Sequence, residues 1–120
     1  MKIVVTSQGT GLDSGVDLRF GRARCFLVVD SESGAFEAVD NQQSLNAPQG
    51  AGIQAARSVC DANAEVVITG NVGPKAFTAL KAAGVRVYTG ATGTVQEALD
   101  AFKAGRLQEA GAPSVEGHGR

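Results

Sequence analysis

Glu65-Val66-Val67-Ile68-Thr69-Gly70-Asn71-Val72-Gly73-Pro74-Lys75-Ala76-Phe77 is the stretch that decides the fold. Val66-Val67-Ile68 is a short β-branched run without polar alternation, the pattern of a strand buried on both faces. Gly70-Asn71-Val72-Gly73 makes a tight connection, and Pro74 suits the first turn of a helix. Ala76, Phe77, Leu80 and Ala83 then share one helical face, Gly84 suits the C′ position, and Val85–Thr89 is a further strand. Strand, helix and strand in that order form a right-handed parallel crossover, so the chain is α/β.

Working outward, Lys2–Ser7 reads as a buried first strand, followed by a long glycine-rich loop, Gln8–Arg22, of the kind that is functional or mobile in a small domain. Ala23–Asp30 and Ala35–Asn41 form a strand pair around the turn Ser31–Gly34. A polar loop, Gln42–Gln49, leads into a helix over Gly50–Ala62, with Ile53, Ala56, Val59 and Cys60 predicted on its buried face. Downstream of the fifth strand, Thr94 with Glu97 three residues later is a capping box, and Val95, Ala98, Leu99 and Phe102 make the last helix's apolar stripe. The order is βββαβαβα, which predicts a five-stranded mixed sheet of order 3-2-1-4-5 flanked by helices. Residues 1–107 form the domain and 108–120 a flexible tail. Strands three and five are left as edges, open to weak dimerisation of an otherwise monomeric chain.

In this topology the loops after strands 1, 3, 4 and 5 leave one edge of the sheet, where α/β proteins hold ligands. Three predicted helix N-termini, near Gly50, Pro74 and Thr94, point to the same edge and favour an anion. The candidate ligand-facing residues are Arg22, Arg24, Asn46, Gln49, Gly70, Asn71 and Lys75. Arg22 has a second reading, as an ion-pair partner of Asp13 or Asp17. Cys25, early in the second strand, is the candidate metal ligand, since a thiolate suits a soft metal; its alternative is a small buried hydrophobe. Cys60 belongs to the core.

Composition narrows the function classes. The 120 residues carry a formal net charge of −1, which gives no global electrostatic case for nucleic acid. No segment approaches a membrane span, and the apolar run after Lys2 breaks too soon for a signal peptide, so the expected location is cytoplasmic. Gly70–Lys75 lacks the phosphate-cradle pattern of P-loop ATPases. The single histidine, His118, lies in the tail, which removes Ser–His–Asp and Cys–His catalysis.

Phe20-Gly21-Arg22-Ala23, Val39-Asp40-Asn41, Gly50-Ala51-Gly52-Ile53-Gln54-Ala55-Ala56, Ile68-Thr69-Gly70-Asn71-Val72-Gly73-Pro74-Lys75-Ala76 and Ala98-Leu99-Asp100-Ala101-Phe102-Lys103-Ala104-Gly105-Arg106-Leu107 occur in that order. Together they resemble the dinitrogenase iron–molybdenum cofactor biosynthesis family, which includes NifX-type carriers, the C-terminal domain of NifB, and the orange-protein group that binds a molybdenum–copper sulfide cluster. The likeness runs from Lys2 to Leu107. It implies an RNase H-like fold and a non-catalytic accessory or carrier protein, not an enzyme. The implied ligand is an iron–molybdenum or related metal–sulfur cluster. The implied partners are metallocluster biosynthesis or transfer proteins, with a P-loop ATPase among the candidates. Members often carry a histidine in the loop before the first helix, whereas Ser44-Leu45-Asn46-Ala47-Pro48-Gln49 has none. That departure points to electrostatic and hydrogen-bonded capture. An RNase H-like fold also raises a nuclease, but the first strand holds no acid, Asp13 and Asp17 are expected in a mobile loop, and two-metal chemistry needs clustered carboxylates. The alternatives to a cluster carrier are a small-anion or nucleotide-binding module at the same edge, and a protein-interaction module with no small ligand.

Overall fold

The structure is a computed structural model and describes residues 1–41 and 50–113. Its elements are β1 (Lys2–Ser7), β2 (Cys25–Asp30), β3 (Phe36–Asp40), α1 (Ala51–Asp61), β4 (Val66–Ile68), α2 (Pro74–Ala82), β5 (Arg86–Thr89), α3 (Val95–Lys103) and β6 (Gln108–Glu109). They build one sheet of order β3-β2-β1-β4-β5-β6. β1 pairs parallel with β4, and β4 with β5, as the crossover reading requires, while β2 and β3 continue antiparallel.

This is the α/β, RNase H-like arrangement expected, with one addition. Gln108–Glu109, expected in a flexible tail, pair antiparallel with Thr89 and Tyr88. β5 is therefore not an edge strand. Two residues with no apolar pattern carry no strand signal of their own; they are held from outside, by Ala110 N–H donating to Val87 O at 2.7 Å and by the Glu109 carboxylate lying between Lys81 and Arg86.

Side-chain alternation divides the core in two. Val4, Phe26, Val28, Val67 and Val87 pack under α1 and α2, while Ile3, Val5, Leu27, Val29, Val66, Ile68 and Tyr88 pack under α3. Strands β1, β2 and β4 are thus buried on both faces, which explains their unbroken apolar runs.

α1 differs from the expected orientation. Its buried residues are Ala51, Ala55, Ala56 and Val59; Ile53 is exposed and Cys60 half-buried. The small residues face inward because the helix lies close to its neighbours. A Cβ placed on Gly52 would meet Ala76 Cβ at 3.2 Å, and one placed on Gly21 would meet Gly52 at 2.9 Å. No branched side chain fits that contact, so Ile53 is turned out.

Candidate functional site

The long loop after β1 is tied down rather than loose. Val16 bridges back to Ser7, Gly15 to Thr94 and Arg19 to Asn71. Its main chain donates from Val16 N–H to Gly93 O at 2.9 Å and from Phe20 N–H to Asn71 O at 3.1 Å. Phe20, 1% exposed, anchors the far end against Phe26. Asp17, expected in a mobile stretch, is buried, and its carboxylate accepts from the Arg19 and Arg24 amides. A buried hydroxyl pair lies beneath: Thr6 Oγ1 donates to Asp17 O at 2.7 Å and sits 2.8 Å from Thr69 Oγ1, which then donates to it.

This loop changes the expectation for the helix N-termini. At α3, the Val95 and Gln96 amides donate to the carbonyls of Ser14 and Leu12, each at 2.9 Å. The capping box fills the rest: the Glu97 amide reaches Thr94 Oγ1, and the Thr94 amide reaches Glu97 Oε1. With its amides taken and a carboxylate at its mouth, α3 is closed to an anion, which corrects the reading of three open termini. α1 and α2 are different. Their N-caps are Gly50 and Gly73, among the described residues no side chain caps either helix, and neither has an acidic residue in its first turn.

The candidate residues fall into two groups. On the α1–α2 face, Gly70 and Asn71 lie against the β1 loop: a Cβ on Gly70 would meet Leu18 Cα at 2.7 Å, and Asn71 Nδ2 donates to Leu18 O at 3.3 Å. Lys75, on the first turn of α2, lines an open groove of about 400 Å³ with Ile53, Pro74, Thr78 and Ala79. Arg22 follows Gly21, whose backbone touches the start of α1. Leu18 and Ile53, 49% and 37% exposed, add apolar surface beside these cations.

Arg24 and Cys25 stand apart. They line a shallower depression of about 180 Å³ with Gly9, Thr10, Ala38 and Asp40. Cys25 pairs in register with Asp40 and shares strand parity with Leu27 and Val29, so its side chain belongs to the α3 face. Its thiol donates to Gly9 O at 2.9 Å, and burial pushes its pKa up, only partly offset by the Ser7 hydrogen bond and the nearby Arg24. The protonated form is therefore the favoured one. Asn46 and Gln49 lie outside the described residues, as does His118.

Two residues at this edge escaped the sequence reading of function. Asp17 makes an Asx-type contact to the amide two residues on, a pattern that short-range sequence does suggest. Asn41, 3% exposed, holds the carbonyls of Ala23 and Gly21 through Nδ2; nothing local announces those partners.

Comparison with known proteins bears on this geometry. A family profile described as dinitrogenase iron-molybdenum cofactor matches residues 1–105. The chain belongs to that family. The apo form of the orange protein from Desulfovibrio gigas is 46% identical and superposes with a TM-score of 0.93 over 95% of this chain and 96% of that one. A candidate NifB protein from Thermotoga is 44% identical, with a TM-score of 0.79 over 90% and 91% of the two chains. An uncharacterised protein of Methanocaldococcus jannaschii is 30% identical over 93 residues, 75% of this chain and 78% of that one. The family is associated with the iron–molybdenum cofactor and points to an accessory role rather than an enzymatic one. Among the described residues no helix is long and apolar enough to cross a membrane.

Proposed function

We propose that this chain is a non-catalytic carrier or accessory protein that holds an iron–molybdenum or related metal–sulfur cluster at the α1–α2 end of its sheet. The observation that carries the reading is the contrast between helix termini: α3 is closed by carbonyls and Glu97, whereas α1 and α2, side by side, have no side-chain cap among the described residues and no first-turn acid. Family membership gives the anion its chemistry.

The donor set fits capture of a pre-assembled anion better than ligation of bare metal. Among the described residues no group of three or more His, Cys, Asp or Glu side chains stands together. Arg22, Asn71, Lys75 and the amides of the two helix starts supply positive charge and hydrogen-bond donors. Cluster sulfides accept such bonds and, being weakly hydrated, also suit apolar walls such as Leu18 and Ile53. Arg24 and Cys25, on the other face, lie outside this site. The cluster is cargo, passed between metallocluster biosynthesis proteins.

The test is anaerobic reconstitution with iron, sulfide and molybdate, in all combinations and with copper as a further arm, followed by desalting, absorption spectroscopy and metal analysis. Molybdenum and sulfide co-eluting with the protein are expected, with loss of uptake in Lys75→Glu. Metal-free protein from every combination, and from incubation with preformed tetrathiomolybdate as well, would count decisively against the reading. Equal thermal stabilisation by phosphate or nucleotide, without metal, would move it to a small-anion module.

A further inference from the structure

We infer that Asp17 and Asn41 are positioning residues for the proposed anion site, acting as a two-sided clamp on the arginine-bearing segment Leu18–Arg24; the inference rests on the carrier reading above. The segment carries Arg19, Arg22 and Arg24 within six residues. Mutual repulsion and backbone entropy both favour a splayed loop, so order there has to be imposed.

Asp17 imposes it through the amides. The residue is 6% exposed, with Oδ1 accepting from Arg19 N–H at 3.1 Å and Oδ2 from Arg24 N–H at 3.2 Å. One carboxylate thus closes the segment at both ends. Its own backbone is fixed to β1, donating to Thr6 O at 2.9 Å and accepting from Thr6 Oγ1. Asn41 works on the carbonyls: Nδ2 reaches Ala23 O at 2.8 Å and Gly21 O at 3.4 Å, and its amide reaches Arg24 O at 3.3 Å. Donors and acceptors of one loop are therefore held from opposite sides by two buried side chains. The held loop sets Gly21 against the start of α1 and so fixes where Arg22 leaves the backbone.

A buried carboxylate close to an anion site opposes the ligand's charge. Its retention makes sense where its negative charge is committed to the Arg19 and Arg24 amides and to Arg19 Nε, 3.7 Å from Oδ1, and the gain is a fixed backbone origin for Arg22. Asp17→Asn and Asn41→Asp conserve shape but break the pattern: the first turns an N–H toward an amide, the second turns an oxygen toward two carbonyls.

The experiment uses the full chain and tetrathiomolybdate as probe, titrated anaerobically across a salt series. Asp17→Asn, Asn41→Asp, Arg22→Gln and the double variants are compared with wild type. Urea unfolding and amide hydrogen exchange are recorded for each. Each clamp variant is expected to bind about tenfold more weakly, with a flatter salt dependence, and Arg22→Gln to add little on top, because coupled residues are not additive. Thr94→Ala, which destabilises α3 at a residue bridged to Gly15 but not to the Leu18–Arg24 segment, should bind as wild type. Exchange at residues 19–24 should rise in the clamp variants. Faster exchange there with unchanged affinity and salt slope would overturn the clamp alone. So would full additivity with Arg22→Gln, or an equal loss in Thr94→Ala. Failure of the wild type to bind the probe would instead remove the site itself. If one clamp variant fails to fold, the cycle on the other decides.

Discussion

Gly21 is where two of the quoted motifs meet. A Cβ there would come within 2.9 Å of the Gly52 backbone, and backbone cannot yield as a flexible side chain can. Gly21→Ala is therefore expected to cost about 1–3 kcal/mol, the range for overpacking, read as a lower urea midpoint with unchanged m-value. Cys25 poses the opposite question, since its side chain has room and a partner. Its thiol is held above its ordinary 9.0 chiefly by burial. A raised value means that the folded state favours the proton. The thiol's contribution to stability is therefore complete below pH 9.0 and lost as pH climbs through the raised value. Wild type should lose stability relative to Cys25→Ala over that rise; a constant difference across it would show that the thiol does not titrate differently on folding. Alkylation at neutral pH should likewise be slower at Cys25 than at half-buried Cys60, read by mass spectrometry.

At the scale of elements, the capping box of α3 offers the cleanest separation of stability from binding. Thr94→Ala removes the acceptor for the Glu97 amide and should cost about 1 kcal/mol in denaturant unfolding. Cluster uptake should not change, because that terminus is already closed by Leu12 and Ser14. The same helix shows where sequence reading works and stops. Thr94 and Glu97 are three residues apart, and Pro74 follows the Val66-Val67-Ile68 run after the short connection Thr69–Gly73, so cap, helix start and parallel crossover were all legible. The plugging of α3 depends on carbonyls some 80 residues upstream and left no local mark. The outward turn of Ile53 depends on the Gly21–Gly52–Ala76 contact, which periodicity does not see. The separation of Cys25 from Arg22 and Lys75 follows from the register Cys25↔Asp40, since one residue of slip exchanges the faces; Arg24, which precedes the strand, lines the same depression as Cys25 without being set by that register. The edge that holds the site was legible from topology; which face of that edge was not.

Over the whole molecule, the proposed site is assembled from three distant stretches: Leu18–Arg22 on the β1 loop, Gly50–Ile53 at the start of α1, and Asn71–Lys75 at the start of α2. They come together only in the fold, and the contacts that join them are backbone to backbone, at Gly21 with Gly52 and at Gly70 with Leu18. An unfolded chain offers the ligand scattered cations and no convergent amides. Ligand binding must then be linked to global stability. At a free ligand concentration of one hundred times Kd the linkage is about 2.7 kcal/mol. For a domain of this size that corresponds to a rise in Tm of roughly 10 °C. Tetrathiomolybdate is expected to give such a rise by anaerobic thermal unfolding followed by circular dichroism, and phosphate at the same concentration is not. Thr94→Ala should begin from a lower Tm and rise by the same amount, because the terminus it weakens takes no part in the site. Lys75→Glu should begin near the wild-type Tm, since its exposed side chain has no cap role, and should lose most of the rise. A rise undiminished in Lys75→Glu would place the ligand elsewhere on the molecule.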